Sequence, residues 1–318
     1  MNRNKKKYFT CAAWLLGLAI TVSGCANKPR EPARHTFPAV TVPTVYIDPA
    51  TQAEYLAMHY WDLFNFTDTV YVGSAAGVTE QALANYLSIL PYTSYPVICR
   101  GLTHLMEEAE KHEAMYAFIS THLERFLFDL NSPLRNEEFF IPVLEQMVAS
   151  KTLNEPRKVR PGQLLSQLQK NRPSALAANI RYALASGARS SLHDLKTDFT
   201  LMLFHNLDCG NCRELANQIK NSQAVTEMQK RRRLTVLSIY PGQDVEAWKK
   251  YLPEMPSSWI NGYDCDDAIY GQERYALRTV PTLYLTDKNH RVVMKDVPFN
   301  YVEYFLNNIL NPPTQSNK

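Results

Sequence analysis

Two cysteines separated by two residues are the clearest chemical feature of this 318-residue sequence. Cys209 and Cys212 follow a short apolar run, Phe199 to Phe204, which is typical of a buried strand. They precede apolar residues at helical spacing, so the pattern predicts that Cys209 lies where a helix begins. Two thiols one helical turn apart can form and break a disulfide.

The predicted helix start suggests a different role for each thiol. A helix N-terminus offers unpaired backbone N–H groups and the positive end of the helix dipole, and both favour a thiolate. Cys209 is therefore the predicted nucleophile. Cys212, one turn further into the helix, should be more buried and is the predicted resolving thiol. Asp208 disfavours a thiolate on Cys209 whereas Arg213 favours it, and the sequence leaves that balance open.

A proline supplies the second motif. Pro281 stands directly before the strand-like run Thr282 to Leu285. Because proline cannot donate to a sheet ladder, we predict a special turn with a cis Val280–Pro281 bond. The order of these features resembles the thioredoxin superfamily: a strand leads to two such cysteines and a helix, and a proline turn follows about seventy residues later. In that superfamily, Val280 and Pro281 would present backbone groups to an extended substrate segment.

The resemblance covers about Ala177 to Leu310 and implies an α/β fold with a mixed central sheet flanked by helices. Consistent with this, Leu234 to Ile239 predicts a second buried strand, and Asp244 is the predicted cap of the helix after it. The stretch 180–195 resembles the N-terminal hairpin of the periplasmic, membrane-tethered branch of the superfamily. The buried acid of thioredoxins is replaced by Leu203, so the proton acceptor for Cys212 is not identified.

This branch implies a function. Its members are thiol-disulfide oxidoreductases that act on protein disulfides or dithiols, usually as reductases supplied with electrons by a membrane thiol carrier. The resemblance implies no cofactor besides the redox-active disulfide Cys209–Cys212. Two alternatives stay open. One is a purely structural disulfide, and the other is a non-catalytic binding or redox-sensing module whose helical part recognises a partner.

The N-terminal segment resembles a bacterial lipoprotein signal. A basic start precedes an apolar stretch over residues 8–20 and the sequence Val22-Ser23-Gly24-Cys25. The resemblance implies that residues 1–24 are a signal peptide and that Cys25 carries the lipid. The protein would then be anchored in the cell envelope, at the inner or outer membrane, and face the periplasm. Residues 25–45 contain four prolines and predict an extended tether.

Residues 46–152 predict a separate all-α domain. Apolar residues recur there at helical spacing, as in the stripe from Tyr116 to Leu130, which we expect to be core. The segment Tyr60 to Thr69 resembles a helical domain of unknown function that precedes thioredoxin-like domains in bacterial lipoproteins. The composition of residues 153–176, with two prolines near their start, predicts a linker to the thioredoxin-like domain at 177–318.

Charge and residue spacing argue against other functions. The chain has 34 basic and 31 acidic residues, and loss of the first 24 residues, which hold four basic ones, leaves 30 against 31. We therefore expect no nucleic-acid binding.

No metal site is predicted, because the histidines lack ligand spacing, although His205 lies near Cys209. Cys99 and Cys265 are expected to be buried thiols, and a third redox thiol at Cys265 is the alternative.

Overall fold

The computed structural model describes residues 35–312, of which residues 37–312 lie in one compact unit. Its N-terminal part, which we call the helical body, is all α, as predicted. No helix within residues 35–312 is both long and apolar enough to span a membrane. The helices of this body are α1 (Pro49–His59), α2 (Ala76–Ile89), α3 (Tyr95–Glu110), α4 (Glu113–Phe128), α5 (Glu137–Ala149) and α6 (Glu155–Leu168).

Side-chain caps fix where several of these helices begin. The side chains of Asp48, Asn136 and Asn154 accept backbone N–H groups in the first turns of α1, α5 and α6. Each cap satisfies a donor that has no partner within its helix. The cap at Asn136 marks the end of the loop between α4 and α5. This loop lies close to the sheet described below.

The segment predicted as a linker, 153–176, instead contains α6, so that prediction was wrong. Pro156 is tolerated because it lies in the first turn, where its missing N–H would have no helical partner. The side chains of Leu164, Leu165 and Leu168 pack against the core of the helical body. Helix α6 is therefore part of that body.

The predicted tether, 25–45, differs from the structure at its C-terminal end. The ring of Phe37 stacks on Tyr60 with 5.0 Å between centroids and on Phe64 with 5.7 Å. The chain thus contacts the helical core at Phe37, whereas most of residues 39–45 are exposed. Residues 25–34, and the signal peptide predicted before them, lie outside the described residues.

The C-terminal part, which we call the sheet body, is a seven-stranded mixed sheet in the order β2-β1-β5-β4-β3-β6-β7. Strands β3, β4 and β5 are parallel, and the other pairings are antiparallel. The predicted fold class is confirmed. The strands are β1 (Arg181–Ala183), β2 (Arg189–Ser191), β3 (Phe199–Phe204), β4 (Leu234–Tyr240), β5 (Ile260–Asp264), β6 (Thr282–Asp287) and β7 (Val292–Lys295).

Both faces of this sheet are covered. Because alternate residues of a strand point to opposite faces, Leu201 and Leu203 of β3 belong to one core and Met202 and Phe204 to the other. The first core packs against α7, α8 and α10. The helices of the sheet body are α7 (Gly210–Asn221), α8 (Gln223–Lys230), α9 (Val245–Tyr251) and α10 (Phe299–Leu310).

The two bodies meet through a network of charged side chains. Glu137, at the start of α5, lies 3.2 Å from a guanidinium nitrogen of Arg278 and 3.3 Å from the Lys295 ammonium. Arg278 also donates to the backbone oxygen of Phe128 at 2.5 Å and lies over the ring of that residue. Side chains of Glu137 and Lys295 are only 12% and 5% exposed, so their charges depend on each other for compensation.

We predict that Glu137→Gln destabilises the protein, because it leaves two cations poorly compensated in a largely buried contact. The expected loss in the free energy of unfolding is about 3 kcal/mol, measured by urea denaturation at neutral pH. Glu227→Gln is the matched control, because it removes an exposed ion pair between α8 and its C-cap residue Arg231 and should cost less than about 0.5 kcal/mol. Equal stability of the two variants would contradict the role given to this contact.

Candidate active site

The pairing of β3 with β6 brings the two sequence motifs together. These strands are antiparallel, with Phe204 opposite Thr282. The chain that leaves β3 toward Cys209 therefore lies at the same edge of the sheet as Pro281, which directly precedes β6. At this edge the Cys209 sulfur is 3.8 Å from the backbone oxygen of Val280.

Cys209 and Cys212 form a disulfide at the start of α7. Cys209 is the N-cap residue of the helix, and its sulfur accepts the backbone N–H of Cys212 at 3.1 Å. The predicted position of Cys209 at a helix start is confirmed. In the reduced protein, that N–H and the positive end of the helix dipole would stabilise negative charge on this sulfur.

The two cysteines differ in their access to solvent. Cys209 is partly exposed, whereas Cys212 is 1% exposed and packs in the interior of the sheet body. A substrate can approach the first sulfur but not the second. This asymmetry is what the predicted roles of nucleophile and resolving thiol require, and the roles themselves stay predictions.

The proline turn has the predicted geometry, because the Val280–Pro281 bond is cis. Both residues are partly exposed. The turn is held from within by Thr282, whose hydroxyl donates to the backbone oxygen of Thr279 at 2.6 Å. The backbone oxygen of Val280 is presented beside the disulfide. There it can accept a hydrogen bond from a bound chain or from a reduced Cys209 thiol.

His205 directly follows β3, four residues before Cys209, and is buried. Its side chain is 2% exposed, and burial lowers its pKa to about 4, so the imidazole is neutral at neutral pH. Its ring lies 5.8 Å from that of Tyr251, measured between centroids. Within residues 35–312, no group of three or more His, Cys, Asp or Glu side chains is placed to hold a metal ion.

The other two thiols were expected to be buried, and that expectation was wrong. Cys99 and Cys265 are both partly exposed. The buried face of α3 passes through Val97, Ile98 and Gly101, so Cys99 lies at its margin. Partial burial and the neighbouring Asp266 carboxylate raise the pKa of Cys265, which favours its unreactive thiol form.

The helical body contributes residues to the site that the sequence did not predict. The loop between α4 and α5, residues 129–136, places Leu130 and Arg135 in a groove of about 360 Å³ that Asn211 and Pro281 also line. Leu130 was expected in the core stripe of α4, but that helix ends at Phe128 and Leu130 is 43% exposed. Its place in this groove depends on the contact between the two bodies, which leaves no local pattern in the sequence.

A mixed sheet that presents a disulfide at a helix start beside a cis proline defines a thioredoxin-like protein. The chain is similar to a thioredoxin-like protein from Bacteroides caccae of known crystal structure, with 38% sequence identity. The match covers 87% of this chain and 99% of that protein's chain, with a TM-score of 0.81. Residues 16–171 match a family described as a domain of unknown function, DUF5106. The chain belongs to the thioredoxin-like proteins, and the DUF5106 match falls on its N-terminal part.

Other solved structures resemble a smaller part of the chain. The C-terminal domain of an uncharacterized protein from Bacteroides fragilis is 36% identical over 43% of this chain and 98% of its own, with a TM-score of 0.42. The thioredoxin domain of a thiol-disulfide oxidoreductase from Bacteroides vulgatus is 23% identical. This match covers 42% of this chain and 98% of that domain, with a TM-score of 0.38. Such low scores support no argument about function. No curated protein matches the chain.

Proposed function

We propose that this protein is a membrane-tethered thiol-disulfide oxidoreductase that reduces disulfides of other proteins outside the cytoplasm. The observation that carries the proposal is the arrangement of Cys209, partly exposed and 3.8 Å from the Val280 oxygen, with Cys212 bonded to it from the buried side. A permanent structural disulfide would gain little from this placement, because a bond between residues three apart closes too small a loop to stabilise much.

The reaction proceeds in two exchange steps. The Cys209 thiolate attacks a substrate disulfide, forms a mixed disulfide and releases the first substrate sulfur as a thiolate, which takes a proton from water. Cys212 then loses its proton and its sulfur attacks the Cys209 sulfur, which forms the Cys209–Cys212 disulfide. The second substrate sulfur leaves as a thiolate and takes up one proton, so this step is neutral overall in protons. Two electrons pass from the dithiol to the substrate. A membrane thiol carrier then returns the protein to its dithiol form and becomes a disulfide itself.

The surroundings of the disulfide support this chemistry. The Cys212 N–H, 3.1 Å from the Cys209 sulfur, stabilises the attacking thiolate in the first step. The Val280 oxygen can accept a hydrogen bond from the backbone of an extended substrate. The buried position of Cys212 protects the resolving thiol from other disulfides while it remains within reach of Cys209.

We predict that the intact protein catalyses insulin reduction by dithiothreitol and that Cys209→Ser abolishes this activity. Cys212→Ala should retain the first step only and accumulate protein substrates as mixed disulfides, identified by mass spectrometry after non-reducing electrophoresis. Cys99→Ser and Cys265→Ser are the matched controls, and both should keep wild-type rates. Failure of the intact protein to reduce insulin, together with an empty Cys212→Ala trap, would favour a binding or redox-sensing module instead.

The location outside the cytoplasm rests on the sequence of the N-terminal segment. A lipid on Cys25 would hold the protein at the periplasmic face of a membrane, where a membrane thiol carrier could supply its electrons. We predict that Cys25→Ser moves the protein from the membrane fraction to the soluble fraction after cell lysis and ultracentrifugation. Cys11→Ser is the control, because Cys11 would be removed with the signal peptide and its loss should change nothing. Wild-type protein in the soluble fraction would contradict the anchor.

A further inference from the structure

We propose that the helical body forms one wall of the substrate-binding groove and selects protein substrates that carry an apolar residue beside the target cysteine. This inference deepens the proposed function and rests on it. The residues that carry it are Leu130 and Arg135, in the loop of residues 129–136 between α4 and α5.

The groove adjoins the residues between the two cysteines and the proline turn. It is lined by Asn211, which lies between the two cysteines, and by Pro281 of the cis-proline turn. Along α7 it extends from Asn211 to Gln218, which is a distance of about 10 Å at 1.5 Å per residue. An extended chain advances about 3.3 Å per residue, so this length accommodates about three residues of a substrate. A small disulfide could reach Cys209 without entering the groove beyond Asn211.

The wall supplied by the helical body is fixed before any substrate binds. Within its loop, Ser132 donates to the Phe126 oxygen at 2.5 Å, and the Asn136 N–H donates to the Leu127 oxygen at 2.9 Å. Across the contact between bodies, Arg135 forms an ion pair with Asp296 and donates to its backbone oxygen at 2.8 Å. A preformed wall binds without the entropic cost of ordering a mobile loop.

The chemistry of the groove favours an apolar substrate side chain. Leu130 is 43% exposed, and Leu215, Pro281 and Val297 supply further apolar surface. Three charged residues also line the groove: the charges of Arg135 and Asp296 compensate each other, and Glu214 is an exposed residue of α7. The occupant is therefore an extended protein segment whose cysteine reaches Cys209 while a neighbouring apolar side chain packs against Leu130.

The test compares two peptide disulfides of the same length, one with leucine and one with serine on both sides of each cysteine. Reduction of each is measured with dithiothreitol as the electron source. Leu130→Asp should lower kcat/KM for the leucine peptide about tenfold, the usual effect of a lost apolar contact in a pocket, and change that for the serine peptide less than about twofold. The matched control is Leu63→Asp, which alters a leucine of the helical body that is 61% exposed and outside the groove. It should behave like the wild type.

The outcomes separate this inference from the proposed function. If the wild type reduces both peptides and Leu130→Asp changes neither rate, or lowers both equally, the selecting wall is overturned and the oxidoreductase stands. If the wild type reduces neither peptide, the proposed function fails and this inference fails with it. A selective loss with the leucine peptide, absent in Leu63→Asp, supports the wall.

Discussion

The antiparallel register of β3 and β6 is the constraint on which the site depends. With Phe204 opposite Thr282, the cysteine loop and the proline turn must emerge at the same edge of the sheet. The side chains of β3 from Thr200 to Phe204 are buried on both faces. A shift of the pairing by one residue would move each β3 side chain from one core to the other. The register is therefore strongly specified. The short distance between Cys209 and Val280 is a consequence of this register.

The helical body is attached to the same edge of the sheet. Glu137 bonds to Arg278, three residues before Pro281, and to Lys295 at the end of β7. Because these charges are largely buried, they are costly to separate and specify one arrangement of the two bodies. The helical body therefore does more than precede the sheet body in the chain, since it places its own residues in the groove that Asn211 and Pro281 line.

Local patterns in the sequence predicted much of this site. The helix start at Cys209, the cap of α9 at Asp244 and the cis bond before Pro281 each depend on a few neighbouring residues, and all three are present. Two other predictions were wrong. Leu130, predicted as the last core residue of an apolar stripe, is 43% exposed, and the segment predicted as a linker contains α6. The contact of Glu137 with Arg278 joins residues 141 positions apart, and no short-range pattern encodes it.

The most direct measurement is the order in which the two thiols of the reduced protein are alkylated. The protein is reduced, treated with less than one equivalent of iodoacetamide at neutral pH, and digested for peptide mass spectrometry. Because Cys209 is partly exposed at a helix start and Cys212 is buried, the label should be found on Cys209 while Cys212 remains unmodified. Equal labelling of the two thiols, or labelling of Cys212 first, would contradict the account.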